Sequence, residues 1–160
     1  MQLNKEYYFN LNGLLWALNK YHRKYLEKYL VDLDVTYVQL PYLVFLYYYK
    51  DCKQEDIAHC LNVDKCGVSR ILTVLSNKGF VSREVDPNNR RSYILSLTAK
   101  GKEVCEEVIY WDNQWEEYIF KHLNISREDF DEMCVKLFGS PKNFVEFMIE
   151  DWDNVNVLDN

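Results

Sequence analysis

The sequence predicts a mainly α-helical chain with one small β-hairpin, an α+β fold within a single domain. Three observations predict it. Apolar residues recur at helical spacing through most of the 160 residues. The period falls to two only between Val81 and Leu97, on either side of the turn-forming run Asp86-Pro87-Asn88-Asn89. Two short helical stretches stand directly before that hairpin.

The elements follow in order. Leu11, Leu14, Leu15, Leu18, His22, Tyr25, Leu26 and Tyr29 form one stripe on a long helix over about 7–31. Thr36 and Gln39 make a T-x-x-Q capping box before an apolar helix over 38–49. Pro41 is tolerated in its first turns, where a backbone N–H has no helical partner. A short helix over 53–62 places Glu55 and Asp56 at its positive dipole end. Lys53 cannot cap that helix through its side chain, so Asp51 is the expected cap. Asn62 tolerates left-handed backbone and turns the chain. Asp64 caps a second helix, which stops at Lys78-Gly79. The hairpin alternates through Val81, Val85, Tyr93, Leu95 and Leu97, with its tip at 86–90. Thr98 caps a helix from Ala99 to about His122, and Ser126 with Asp129 starts another, striped by Phe130, Met133, Cys134 and Leu137. A last helix is expected over 142–152, followed by a fraying tail.

Two short helices followed by a hairpin is the arrangement of a winged helix-turn-helix. Ile57, Ala58 and Leu61 face Val68, Ile71 and Leu72 across the helix crossing, and Ala58 is small enough to let the helices approach. The other face of the second helix presents Lys65, Cys66, Ser69, Arg70 and Thr73, groups that reach base edges and phosphates. Arg83, Asn88, Arg90 and Arg91 add contacts from the hairpin. The net charge of −6 is unfavourable for a duplex, but its distribution is not. Residues 64–102 hold 8 basic and 3 acidic groups, residues 1–63 are balanced, and residues 103–160 hold 4 basic against 15 acidic. One compact basic segment therefore faces phosphate while the acidic excess lies elsewhere.

Other function classes lose support. Residues 1–10 lack the apolar stretch of a signal peptide, and the charge-free run 35–49 is too short to span a bilayer, so a soluble cytoplasmic protein is expected. Five cysteines, an odd number, argue for reduced thiols. His59, Cys60, Cys52 and Cys66 lack metal-ligand spacing, so no metal is expected. No nucleophile elbow, phosphate loop or paired-carboxylate motif appears, which predicts a non-enzyme without a cofactor.

The run DIAHCLNVDKCGVSRILTVLSNKGFVSREVDPNNRRSYILSLTAKG resembles the MarR family of transcription regulators. The likeness rests on the helix pair, the K-G-F-V entry to the wing, the D-P-x-x-R-R tip and the L-T-x-K-G exit. The chain departs from the family's D-x-R wing motif at Asn89-Arg90-Arg91, where Asp86 becomes the substitute carboxylate for Arg91, and from its turn glycine at Asn62. The resemblance implies a DNA-binding lobe over 33–101 and dimerisation helices over 1–32 and 102–160. It implies a homodimer on a palindromic operator, with recognition helices in successive major grooves and wings in the flanking minor grooves. It also implies a repressor released by a small-molecule effector. Trp16, Tyr21, Tyr25, Tyr37, Tyr110 and Trp111 fall on helices that this arrangement brings near the dimer crevice, a candidate pocket for a small aromatic effector. Two alternatives stay open: a redox-sensing regulator using Cys66 or Cys60, and a winged helix used for protein–protein contacts, which the basic wing disfavours.

Overall fold

A computed structural model of the chain describes residues 11–138. Helix α1 (Leu11–Leu30) leads through a 3-10 turn (Tyr37–Gln39) into α2 (Leu40–Tyr48). Helices α3 (Gln54–Cys60) and α4 (Lys65–Asn77) precede the hairpin of β1 (Val81–Asp86) and β2 (Asn89–Leu97). Helices α5 (Ala99–Leu123) and α6 (Arg127–Phe138) follow. The helix expected over 142–152 and the start of the first helix lie outside the described residues. The result is a mostly helical winged helix.

Local chemistry sets most element ends. Asp64 accepts the Gly67 N–H at 2.7 Å, and Thr98 Oγ1 accepts that of Gly101 at 3.0 Å. Ser126 accepts the Asp129 N–H at 3.0 Å and donates to its Oδ2 at 2.7 Å, closing a local cap. The Thr36–Gln39 capping box forms as expected, with the Gln39 Oε1 accepting the Thr36 N–H at 3.0 Å. Asn62 turns the chain at φ 47°, and Gly79 ends α4 at φ 77°.

One cap differs from expectation. Lys53, not Asp51, is the N-cap of α3, and its backbone N–H donates to Asp56 Oδ2 at 2.7 Å. Asp51 itself is left-handed at φ 56° and accepts the Ser96 hydroxyl at 3.0 Å. A carboxylate in the first helical turn thus accepts the N–H of the cap residue, the reciprocal half of a capping box.

The strands pair antiparallel from Val81↔Leu97 to Val85↔Tyr93, with an irregularity between Val85 and Asp86. On the other edge of β2, Cys52 adds a one-residue bridge, its carbonyl accepting the Leu95 N–H at 2.8 Å. One core runs from Leu26, Leu30 and Leu43 through Ile57, Val68, Leu72 and Phe80 to Leu95, Val104 and Val108. The apolar stripe of α1 divides: Leu26 and Leu30 are buried in this core, but Leu14 and Leu15 remain 53% and 55% exposed. The hairpin alternation divides in the same way. Val81, Leu95 and Leu97 are buried, whereas Val85 and Tyr93, nearer the hairpin tip, are 53% and 49% exposed.

Candidate nucleic-acid interface

Helices α3 and α4 pack through Ile57 and Ala58 against Val68 and Leu72, all buried, with Leu61 and Ile71 half-buried at the edges. Gln54 Nε2 donates to the Lys65 carbonyl at 2.9 Å and ties the starts of the two helices together. That packing leaves Lys65, Cys66, Arg70 and Thr73 exposed and Ser69 half-buried on α4. The Thr73 hydroxyl donates back to the Ser69 carbonyl at 2.7 Å and accepts Arg83 Nη2 at 3.1 Å. Arg83 therefore joins β1 to the exposed side of α4. Asn88 and Arg90 are exposed at the hairpin tip. Arg91 has its backbone in β2, and its side chain lies outside what is described.

Not every cation of the basic segment points to this face. Lys78 Nζ is held by the Asp34 carbonyl at 2.7 Å and its Oδ1 at 2.9 Å. Lys100 Nζ donates to the Lys78 carbonyl at 3.0 Å and sits 4.5 Å over the Phe80 ring. Lys65, Arg70, Arg83 and Arg90 remain on α4 and the hairpin beside it.

Asp86 is buried at the hairpin tip, and its expected pairing with Arg91 falls on a side chain outside what is described. Among the described side chains its partner is Lys53, whose Nζ lies 2.8 Å from Oδ2, while Oδ1 accepts the Asn88 N–H at 2.8 Å. The ammonium of Lys53 and that N–H hold the Asp86 carboxyl below its ordinary range. The same ion pair raises the Lys53 ammonium. Sequence spacing gave no sign of Lys53, Gln54 or the exposed Val85–Tyr93 pair, because each acts through a residue distant in the chain.

The six aromatic candidates separate into three settings. Tyr29 stacks on Trp111 at 3.7 Å between ring centroids, and Tyr25 meets Tyr29 and Trp115 at 5.3 Å each, so the α1–α5 seam is aromatic. Desolvation in this seam raises the Tyr25 hydroxyl to about 12. His22 bridges the seam, with Nδ1 3.1 Å from the Tyr37 hydroxyl and Nε2 2.8 Å from Asp112 Oδ1. Tyr21 and Tyr25 line a groove of about 510 Å³ with Trp115, Tyr118, Lys24 and Lys28. Trp16 is exposed, with Lys20 Nζ 4.7 Å from its ring centroid, and Tyr110 lies edge-on to Trp111 at 5.0 Å. Trp115 and Tyr118 were missed, although their step of three beyond a step of four from Trp111 marks one helical face.

Burial pushes up the thiols of Cys52 and Cys60, and that of Cys105 to about 12, which disfavours the reactive thiolate at each. Cys66 is the exposed cysteine of α4. Among the described residues no group of three or more His, Cys, Asp or Glu side chains is placed to hold a metal ion. No described helix is long and apolar enough to cross a membrane.

Comparison with known proteins places this geometry among relatives. The family model described as MarR family matches residues 35–93. The HTH-type transcriptional regulator BilQ of Clostridioides difficile (strain CD3) is 26% identical over 117 residues, which is 73% of this chain and 79% of that protein. The multiple antibiotic resistance protein MarR of Escherichia coli (strain K12) is 30% identical over 97 residues, covering 61% of this chain and 67% of that protein. A crystal structure of MarR superposes with a TM-score of 0.72 at 30% identity, over 86% of this chain and 92% of its own. A MarR transcriptional regulator from Methanosarcina mazei Go1 gives 0.70 at 28% identity, over 83% and 92%.

Proposed function

The chain belongs to the MarR family of DNA-binding transcription regulators, and we propose that it works as a homodimeric repressor on a palindromic operator. In this reading residues 33–101 form the DNA-binding lobe, and residues 1–32 and 102–160 dimerise. Lys65, Cys66, Ser69, Arg70 and Thr73 enter the major groove, while Arg83, Asn88, Arg90 and Arg91 follow the backbone and the flanking minor groove. The observation that carries it is the Arg83–Thr73 hydrogen bond, which makes the face of α4 and the hairpin one continuous surface. A small aromatic effector suits the groove walled by Tyr21, Tyr25, Trp115 and Tyr118, with Lys24 and Lys28 at its rim. Its binding would release the operator by favouring a dimer whose lobes no longer match the half-site spacing.

The DNA-reading part is tested with a duplex selected for binding from a random pool, beside an unselected duplex, across a salt series. Arg70→Ala is expected to cost about 1–3 kcal/mol on the selected duplex and to flatten the preference at one base pair of each half-site. Unchanged affinity for both duplexes would remove α4 from the interface.

The dimer rests on apolar surface that one chain leaves open: Leu14, Leu15 and Leu18 on α1, Tyr118 and Leu123 on α5, and Met133 and Val135 on α6. Sedimentation at micromolar concentration is expected to show twice the chain mass. A single species of 19.3 kDa would overturn it.

A further inference from the structure

Among the described residues, Asp86 is the one charged side chain that is buried, at 2% exposure. It is an unusual place for a buried carboxylate. Glu84, Val85, Pro87, Asn88, Asn89 and Arg90 around it are all exposed. The register irregularity between Val85 and Asp86 takes this residue out of the strand alternation. Its carboxylate then meets Lys53 Nζ at 2.8 Å.

Lys53 is well anchored at the root of the helix-turn-helix. Its backbone N–H is held by Asp56, and the preceding residue, Cys52, is hydrogen-bonded to β2 through Leu95. The ion pair therefore runs from the fixed start of α3 to the tip of the hairpin. A two-stranded hairpin has little rigidity of its own. Among the described side chains, Arg83 ties it to Thr73 near its middle and Asp86 to Lys53 at its tip, while Ser96 bonds to Asp51 nearer its base.

We propose that Lys53 and Asp86 are positioning residues that set the angle of the wing to α4, so that both elements meet one duplex together. This rests on the reading that α4 and the wing both engage DNA. The simpler role for Lys53, a direct phosphate contact, makes an opposite prediction. A phosphate-binding Lys53 would be helped by removing the nearby negative charge, so Asp86→Asn would tighten binding. A positioning pair requires that Asp86→Asn weaken binding, although the substitution deletes a charge that repels phosphate.

The experiment uses the full chain and the selected duplex. Asp86→Asn and Lys53→Met are each expected to lower affinity about tenfold, and the double variant to lower it no further, because the two side chains act as one unit. Lys53→Arg, which can still reach the carboxylate, is expected to restore most of the affinity. Hydroxyl-radical footprints of the single variants are expected to lose the flanking minor-groove protection while dimethyl sulfate protection of major-groove guanines persists. That pattern requires folded protein, so unfolding cannot imitate it. Affinity of Asp86→Asn equal to or above that of the parent overturns the proposal, as does loss of both protections together. A parent chain with no flanking protection instead overturns the two-element reading, and this inference with it.

Discussion

Phe80→Ala is expected to lower the unfolding free energy by about 3–5 kcal/mol, the cost of removing a fully buried aromatic ring and leaving a cavity. Phe80 has no exposed surface. Its N–H is bonded to the Leu75 carbonyl of α4 at 2.9 Å, and its carbonyl accepts the Thr98 N–H at the start of α5 at 3.0 Å. Gly79, left-handed at φ 77°, turns the chain so that Phe80 enters the core at the first step of the wing. The ring thus fills the junction of α4, β1 and α5, where no single neighbour can collapse into the gap. For a chain of this size the loss corresponds to a fall in Tm of about 10 °C, read by far-UV circular dichroism. A fall of under about 2 °C would show that the junction repacks and is not the keystone described here.

Gly101→Ala is expected to destabilise by about 1–3 kcal/mol, although alanine is the better helix former by about 1 kcal/mol. A Cβ at Gly101 would lie 2.1 Å from the Phe80 carbonyl oxygen and 3.2 Å from Leu97 Cδ2. The obstructing atom is backbone, and that oxygen also accepts the Thr98 N–H, so it cannot withdraw without loosening the wing from α5. Gly67 is the useful control. There the nearest atom, at 2.8 Å, is the Asp64 Oδ2, the end of the capping side chain, which can shift by a smaller amount than a backbone carbonyl would have to. Chemical denaturation of both variants reads the difference: Gly101→Ala should fall below the parent, and Gly67→Ala should stay closer to it. A Gly101→Ala variant more stable than the parent would mean that α5 does not approach the wing so closely. The same contact explains physically why a glycine closes the L-T-x-K-G run at Leu97–Gly101.

Much of this architecture was legible along the chain. Asp64, Thr98 and Ser126 act on backbone N–H groups three residues away, so their caps can be recognised without knowing the fold. Asn62 and Gly79 satisfy local backbone conformations in the same way. The faces of α3 and α4 were readable because Ile57, Ala58 and Leu61 on one side of the turn, and Val68, Ile71 and Leu72 on the other, recur at the helical period. The candidate contact residues on α4 follow directly as the opposite face.

Other features were not legible, and the reasons are specific. Asp51 is a good cap by composition, yet Lys53 takes the cap position with its N–H bonded to Asp56, while Asp51 bonds to Ser96. Asp86 reads as a turn residue, and the identity of its partner depends on where the hairpin tip falls relative to α3. Val85 and Tyr93 carry the alternation of buried strand residues but, paired near the hairpin tip, stay exposed while Leu95 and Leu97 are buried. Tyr21 and Tyr25 share a groove with Trp115 and Tyr118 only because α1 packs along α5.

The sequence by itself therefore determined the described elements, most of their caps and turns, the helix-turn-helix faces and the placing of positive charge on that lobe. Each of these depends on interactions within a few residues, or on a periodicity that the chain carries in its own order. The tertiary structure decided which half of the α1 stripe is buried, which cations are taken by the scaffold, and that Asp86 meets Lys53. Periodicity specifies a face but not whether another element is long enough to cover it. Charge specifies an attraction, but distance selects the partner, and distance between residues far apart in the chain exists only once it has folded.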